Sequence, residues 1–81
     1  MKRIEWTGQA RADVRQLDIP TAMRIFAAVQ RFAETGEGDI RKLKGSDELR
    51  LRVGDYRVRF VEPDPATVEI KRVLHRSAAY R

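Results

Sequence analysis

Two runs in the second half of this chain, Leu49-Arg50-Leu51-Arg52-Val53 and Tyr56-Arg57-Val58-Arg59-Phe60, alternate apolar and cationic residues with period two. Period two is the mark of a strand buried on one face only. Leu49, Leu51, Val53, Tyr56, Val58 and Phe60 therefore point one way, and Arg50, Arg52, Arg57 and Arg59 the other. Gly54-Asp55 between the runs is a two-residue hairpin signal.

The charge is local. Residues 1–40 carry six Lys/Arg and six Asp/Glu, whereas residues 41–81 carry eleven and six, so the whole net charge of +5 lies in the second half. A single-sign stripe on a pleated face repels itself, and an anionic partner such as RNA, DNA or an acidic protein segment explains it. The plainer alternative is that these arginines only solvate an exposed sheet face. Like charges at neighbouring positions, with too few carboxylates to pair them, favour the anionic partner.

Eighty-one residues make one small domain, 1–81, which buries little more than roughly 60% of its unfolded surface. The chain has no cysteine and one histidine, which excludes disulfides and thiolate metal sites and leaves too few ligands for a zinc site. No cofactor or metal is expected. The N-terminus lacks a continuous apolar segment, and no stretch approaches the roughly 20 apolar residues of a membrane span, so a cytoplasmic protein without membrane contact is expected.

Along the chain, Arg3-Ile4-Glu5-Trp6 reads as a first strand. Thr7 suits a helix N-cap, and Ala10, Val14 and Leu17 recur at helical spacing for a first helix of about ten residues. Pro20 opens a second helix that runs to about Glu34 and ends at Gly36. Its inner face is expected to be Ala22, Met23, Phe26, Val29 or Gln30, and Ala33. Pro63-Asp64-Pro65 makes a turn, and Thr67 to Leu74 is the last strand, with Val68, Ile70 and Leu74 inward and Lys71 outward. Trp6, Phe26, Phe32 and Phe60 belong to the core or its rim, Trp6 having base stacking as a second reading. The fold class is α+β: an N-terminal strand, a two-helix hairpin, then a three- to four-stranded antiparallel sheet, with the helices on one sheet face.

Lys42-Leu43-Lys44-Gly45, then Leu49 through Phe60 with Gly54-Asp55-Tyr56-Arg57 at its centre, then His75-Arg76 and Ala79-Tyr80-Arg81, together resemble the RelE/ParE superfamily of toxins from bacterial type II toxin-antitoxin pairs. The likeness covers almost the whole chain and is nearer the RelE branch, whose members cut messenger RNA, often during translation. The resemblance implies catalytic or substrate-holding roles for Arg57, Arg76 and Tyr80. Arg50 and Glu48 stand where lysines are expected. An arginine at position 50 clamps phosphate but is a poor proton acceptor, so the general base stays open.

Cleavage by the RNA's own 2′-hydroxyl requires in-line geometry, charge stabilisation at the phosphorus, a proton acceptor and a proton donor, with no metal. Arg50, Arg57 and Arg76 suit the electrostatic part. Tyr80 suits base stacking or proton transfer, its ordinary pKa of about 10 drawn down by neighbouring arginines. Glu48 is a possible base or an ion-pair partner, and His75 a possible acid or base or a cap on a strand end. Lys42, Lys44, Arg52, Arg59 and Arg81 are candidate RNA contacts.

The implied partners are a cognate antitoxin, acidic and partly disordered, that masks the basic face, mRNA possibly on the ribosome, and operator DNA only through the antitoxin. Two other functions remain open: a ParE-like inhibitor of DNA gyrase, and a non-catalytic nucleic-acid-binding or interaction module.

Overall fold

The computed structural model describes residues 1–79. Strand β1 (Arg3–Trp6) leads into helices α1 (Gly8–Arg15) and α2 (Ile19–Thr35). Strands β2 (Asp39–Lys42), β3 (Leu49–Val53), β4 (Tyr56–Asp64) and β5 (Thr67–His75) follow, and then a short helix α3 (Arg76–Ala79). The sheet order is β1-β5-β4-β3-β2. β2 to β5 form an antiparallel meander, and β1 pairs in parallel with β5.

Local chemistry sets the helix ends. The Thr7 hydroxyl accepts from the Ala10 N–H at 3.2 Å, and the Asp18 carboxylate accepts from the Thr21 N–H at 3.2 Å and the Thr21 hydroxyl at 2.7 Å. Those hydrogen bonds hold the Asp18 carboxyl below its ordinary pKa. Pro20 lies in the first turn of α2, where its missing N–H costs nothing. Gly36 ends the helix at φ 76°, left-handed, as expected from the sequence. Gly54 takes φ 59° at the first position of the β3–β4 turn, and Val53 pairs with Tyr56 around it.

The core lies between α2 and the sheet. Ile25, Val29, Phe32 and Ala33 of α2 meet Leu51, Val58, Phe60, Val68, Ile70 and Val73, with Ala10 of α1 closing one side. The Phe32 and Phe60 rings sit 5.1 Å apart, while Trp6 and Phe26 meet edge-to-face at 5.2 Å on the rim. Met23 is 59% exposed and Phe26 40%. The inner face of α2 is thus rotated from the one expected: Ile25 and Phe32 replace Met23 and Phe26. Both sets have helical spacing, and the apolar side of α2 is wide enough to hold two stripes.

The last strand also departs from simple alternation. Arg59 pairs with Arg72 but Phe60 pairs with Ile70, so Lys71 is an extra residue, a β-bulge. Beyond it the parity reverses. Val73 enters the core, and Leu74, expected inward, pairs with Arg57 and so projects from the opposite face.

β1 covers β5 only as far as Ile70. Past that point α1 covers the edge of β5. The Thr7 hydroxyl donates to the Lys71 carbonyl at 3.2 Å, and the Asp13 carboxylate accepts from the Val73 N–H at 2.9 Å and from Arg72 Nε at 2.8 Å. A carboxylate here takes the place of the next strand's carbonyl and blunts an edge that would otherwise invite pairing. Among the described residues no helix is long and apolar enough to cross a membrane.

Ile25→Ala is expected to cost about 2–5 kcal/mol of stability and Met23→Ala less than about 0.5, measured by urea unfolding. A larger cost for Met23→Ala than for Ile25→Ala would place α2 in the other rotation. At Asp13, burial pushes the carboxyl pKa up, but hydrogen bonds from Arg72, Val73 and Gln9 outweigh it and the net shift is downward. A carboxyl depressed on folding adds stability that is fully present above its unfolded pKa of about 3.9 and is lost as pH falls through the folded value. Asp13→Asn should cost about 1 kcal/mol at neutral pH and flatten the loss of stability between about pH 5 and pH 2, followed by thermal melts across that range.

Candidate active site

The sheet register aligns the cations. Arg41 pairs with Arg50 across β2–β3, Arg50 with Arg59 across β3–β4, and Arg59 with Arg72 across β4–β5. Directly opposed residues project to the same side, so four arginines form one row over four strands, on the face turned away from α2. Two residues along each strand, the next such row reads Asp39, Arg52, Arg57, Leu74.

Opposed like charges are destabilising by a fraction of a kcal/mol each, and carboxylates at the margins offset part of this. Asp13 takes Arg72 around the sheet edge. Glu48 takes Arg59, accepting from its Nε at 3.1 Å and also from Nη2. Arg50 is matched less closely: its Nη2 lies 3.7 Å from Asp39, beyond hydrogen-bond reach, and its Nε is buried without a hydrogen-bond partner among the described residues. The Arg50 side chain is only 15% exposed and Arg57 only 6%. Arg57 Nη1 reaches the Tyr56 carbonyl at 3.5 Å.

Between β2 and β4 these groups enclose a cavity of about 330 Å³ lined by Arg41, Lys42, Leu43, Lys44, Arg50, Arg57 and Arg59. Among the described residues Leu43 is the one uncharged lining residue. Buried guanidiniums are costly to desolvate and hold their charge at any accessible pH, so a concave floor made of two of them is complementary to an anion. Planar forks match phosphate oxygens in pairs.

Five of the residues singled out from the sequence therefore line one basin: Arg50, Arg57, Arg59, Lys42 and Lys44. Arg52 is on the same face but exposed, with its Nε 3.4 Å from the Gly54 carbonyl. Arg76 opens α3 at the β3–β4 turn end of the sheet, where its N–H donates to the Asp55 carbonyl at 2.7 Å, and it is not among the lining residues. Glu48 is at the margin, in its ion pair with Arg59. His75 is on the other face: it pairs with Tyr56 and meets that ring edge-to-face at 5.3 Å, and its Nδ1 accepts from the Ser77 N–H at 3.2 Å. Tyr80 and Arg81 lie outside the described residues. Arg41 and the Asp39 carboxylate were not singled out from the sequence. The signal for both was the strand Asp39–Lys42, whose register with β3 brings them beside Arg50 and Arg52.

Residues 4–80 match the family model described as ParE toxin of type II toxin-antitoxin system, parDE. A comparison with curated proteins finds no match. Among solved structures, the RelB-RelE antitoxin-toxin complex from Methanococcus jannaschii is similar at 26% identity and TM-score 0.76, over 94% of this chain and 94% of that one. The RelBE2 toxin-antitoxin complex from Mycobacterium tuberculosis is similar at 27% identity and TM-score 0.61, over 91% of this chain and 96% of the other. The archaeal RelE-RelB complex from Pyrococcus horikoshii shares the fold at 23% identity and TM-score 0.77, over 93% and 94%.

Proposed function

This chain belongs to the ParE toxin family of type II toxin-antitoxin systems, and from its basic cavity and its likeness to the RelE toxins of solved antitoxin complexes we propose that it acts as an mRNA endoribonuclease that stops translation. The observation that carries this reading is the concave floor made by the nearly buried Arg50 and Arg57, ringed by Arg41, Lys42, Lys44 and Arg59. A flat basic surface suffices for binding alone. A guanidinium held in a cavity with its carboxylate beyond hydrogen-bond reach, as Arg50 is, suits a phosphodiester whose charge grows during reaction.

In this reading single-stranded RNA lies across the open face with one phosphate on the basin floor. Arg50 and Arg57 hold its non-bridging oxygens and stabilise the charge as the 2′-oxygen attacks and the 5′-oxygen leaves, without recourse to a metal ion. Lys42, Lys44 and Arg41 take flanking phosphates. Arginine keeps its proton throughout, so proton transfer falls to the C-terminal segment, with Tyr80 as the acid-base or stacking group and Arg76 as a further cation for the substrate. His75, on the far face, and Glu48, bound to Arg59, are left out of the machinery.

The antitoxin partner is, on the same reasoning, an acidic segment that covers the basin and displaces RNA. Contact with operator DNA belongs to the antitoxin, and the site of action is the cytoplasm, on mRNA with or without the ribosome.

Expressing the wild type, Arg57→Ala and Tyr80→Phe under tight control and mapping RNA 5′ ends should give discrete cuts for the wild type. Each variant should reduce them by about 100-fold or more, with thermal melts confirming that it folds. DNA-damage signalling without cuts would instead identify a gyrase inhibitor. Neither response would leave a binding module.

A further inference from the structure

We propose that Glu48 is a built-in competitor for the RNA phosphate, occupying the Arg59 fork from inside the chain and thereby setting how tightly the basin holds RNA. The inference rests on the RNA-cleaving reading above. Arg59 Nε and Nη2 both converge on a single oxygen, Glu48 Oε2, as they would on one oxygen of a phosphate. The backbone that carries the carboxylate is held in place: the Glu48 N–H donates to the Ser46 hydroxyl at 3.0 Å, and its carbonyl accepts from the N–H of Leu43, a lining residue, at 2.9 Å.

The arginines of the basin are therefore not equivalent. Arg50 has its carboxylate at 3.7 Å, outside hydrogen-bond reach, whereas Arg59 has its own in contact. A phosphate arriving at Arg50 meets charge that is only loosely matched. One arriving at Arg59 must first displace Glu48, and the carboxylate it expels stays within a few ångströms as a repelling charge. The strand is thus bound through fewer phosphates than the lining arginines would allow, and bound RNA or product leaves more readily.

The test is the affinity of the full-length chain for a single-stranded RNA made uncleavable by 2′-O-methylation, measured by fluorescence anisotropy over a salt series. Glu48→Gln keeps the shape of the side chain and should bind about fivefold tighter than wild type. Its salt dependence should steepen by about 0.7 in log-log slope, the contribution of one added phosphate contact on a single strand. Glu62→Gln, which removes the same charge from a pair with Lys2 outside the basin, should shift affinity by less than about twofold. In an Arg59→Ala background, Glu48→Gln should give no gain, because the fork it would release is gone. A gain equal to that of Glu62→Gln, or one that persists without Arg59, would overturn the competitor role while leaving the nuclease reading intact. Absence of salt-dependent RNA binding by the wild type would overturn both.

Discussion

Burial of Leu51, Val58, Phe60, Ile70 and Val73 against α2 is the condition for everything on the reverse of the same strands. Each such side chain contributes about 1.5–3 kcal/mol when fully buried. Each opposed arginine pair costs a fraction of that. The difference lets four strands carry a row of arginines that no isolated hairpin would tolerate. Pleating does the rest, because packing one side tightly fixes the position of the other. The basin is in this sense a by-product of the core: its geometry comes from apolar contacts, and only its chemistry from the charges.

What the sequence made legible follows from which constraints are local. The β3–β4 hairpin, its two-residue turn, the Thr7 cap, the Gly36 stop and the placement of helices on one face all rest on neighbouring residues. Features that depend on distant partners were not readable. Met23 and Phe26 stand three apart and Ile25 and Phe32 seven apart, both helical spacings, and only docking on the sheet selects between them. The parallel pairing of β1 with β5 joins residues at opposite ends of the chain, and the Lys71 bulge appears only once β4 is laid beside β5. In the site, the alternation revealed Arg50, Arg57 and Arg59 at once. Arg41 joined them through register alone, and the side taken by His75 depended on the bulge.

The carboxylates add a second layer to the basin. Asp13, Glu48 and Asp39 each approach one arginine of the row from its margin, the first two in hydrogen-bond contact and Asp39 beyond it. Asp13 is committed to structure, since it also receives the Val73 N–H at the sheet edge. Asp39 is exposed and too distant to hold Arg50 closely. Glu48 stands between them, anchored through its backbone and binding, among the described residues, the side chain of Arg59. A graded set of counter-charges of this kind lets the fold persist with the basin empty and still leaves its centre available to a stronger anion.

The extra residue at Lys71 bears on how roles are carried from one relative to another. From Val68 to Ile70, counting by twos along β5 assigns a side chain to the correct side of the sheet. After Lys71, the same count inverts, so a chain lacking the insertion would present different neighbours to the polyanion at equivalent alignment columns. Correspondence at the C-terminal end of this fold is consequently a matter of hydrogen-bond ladder rather than of column, and relatives should be matched there only after their β4–β5 pairing has been traced.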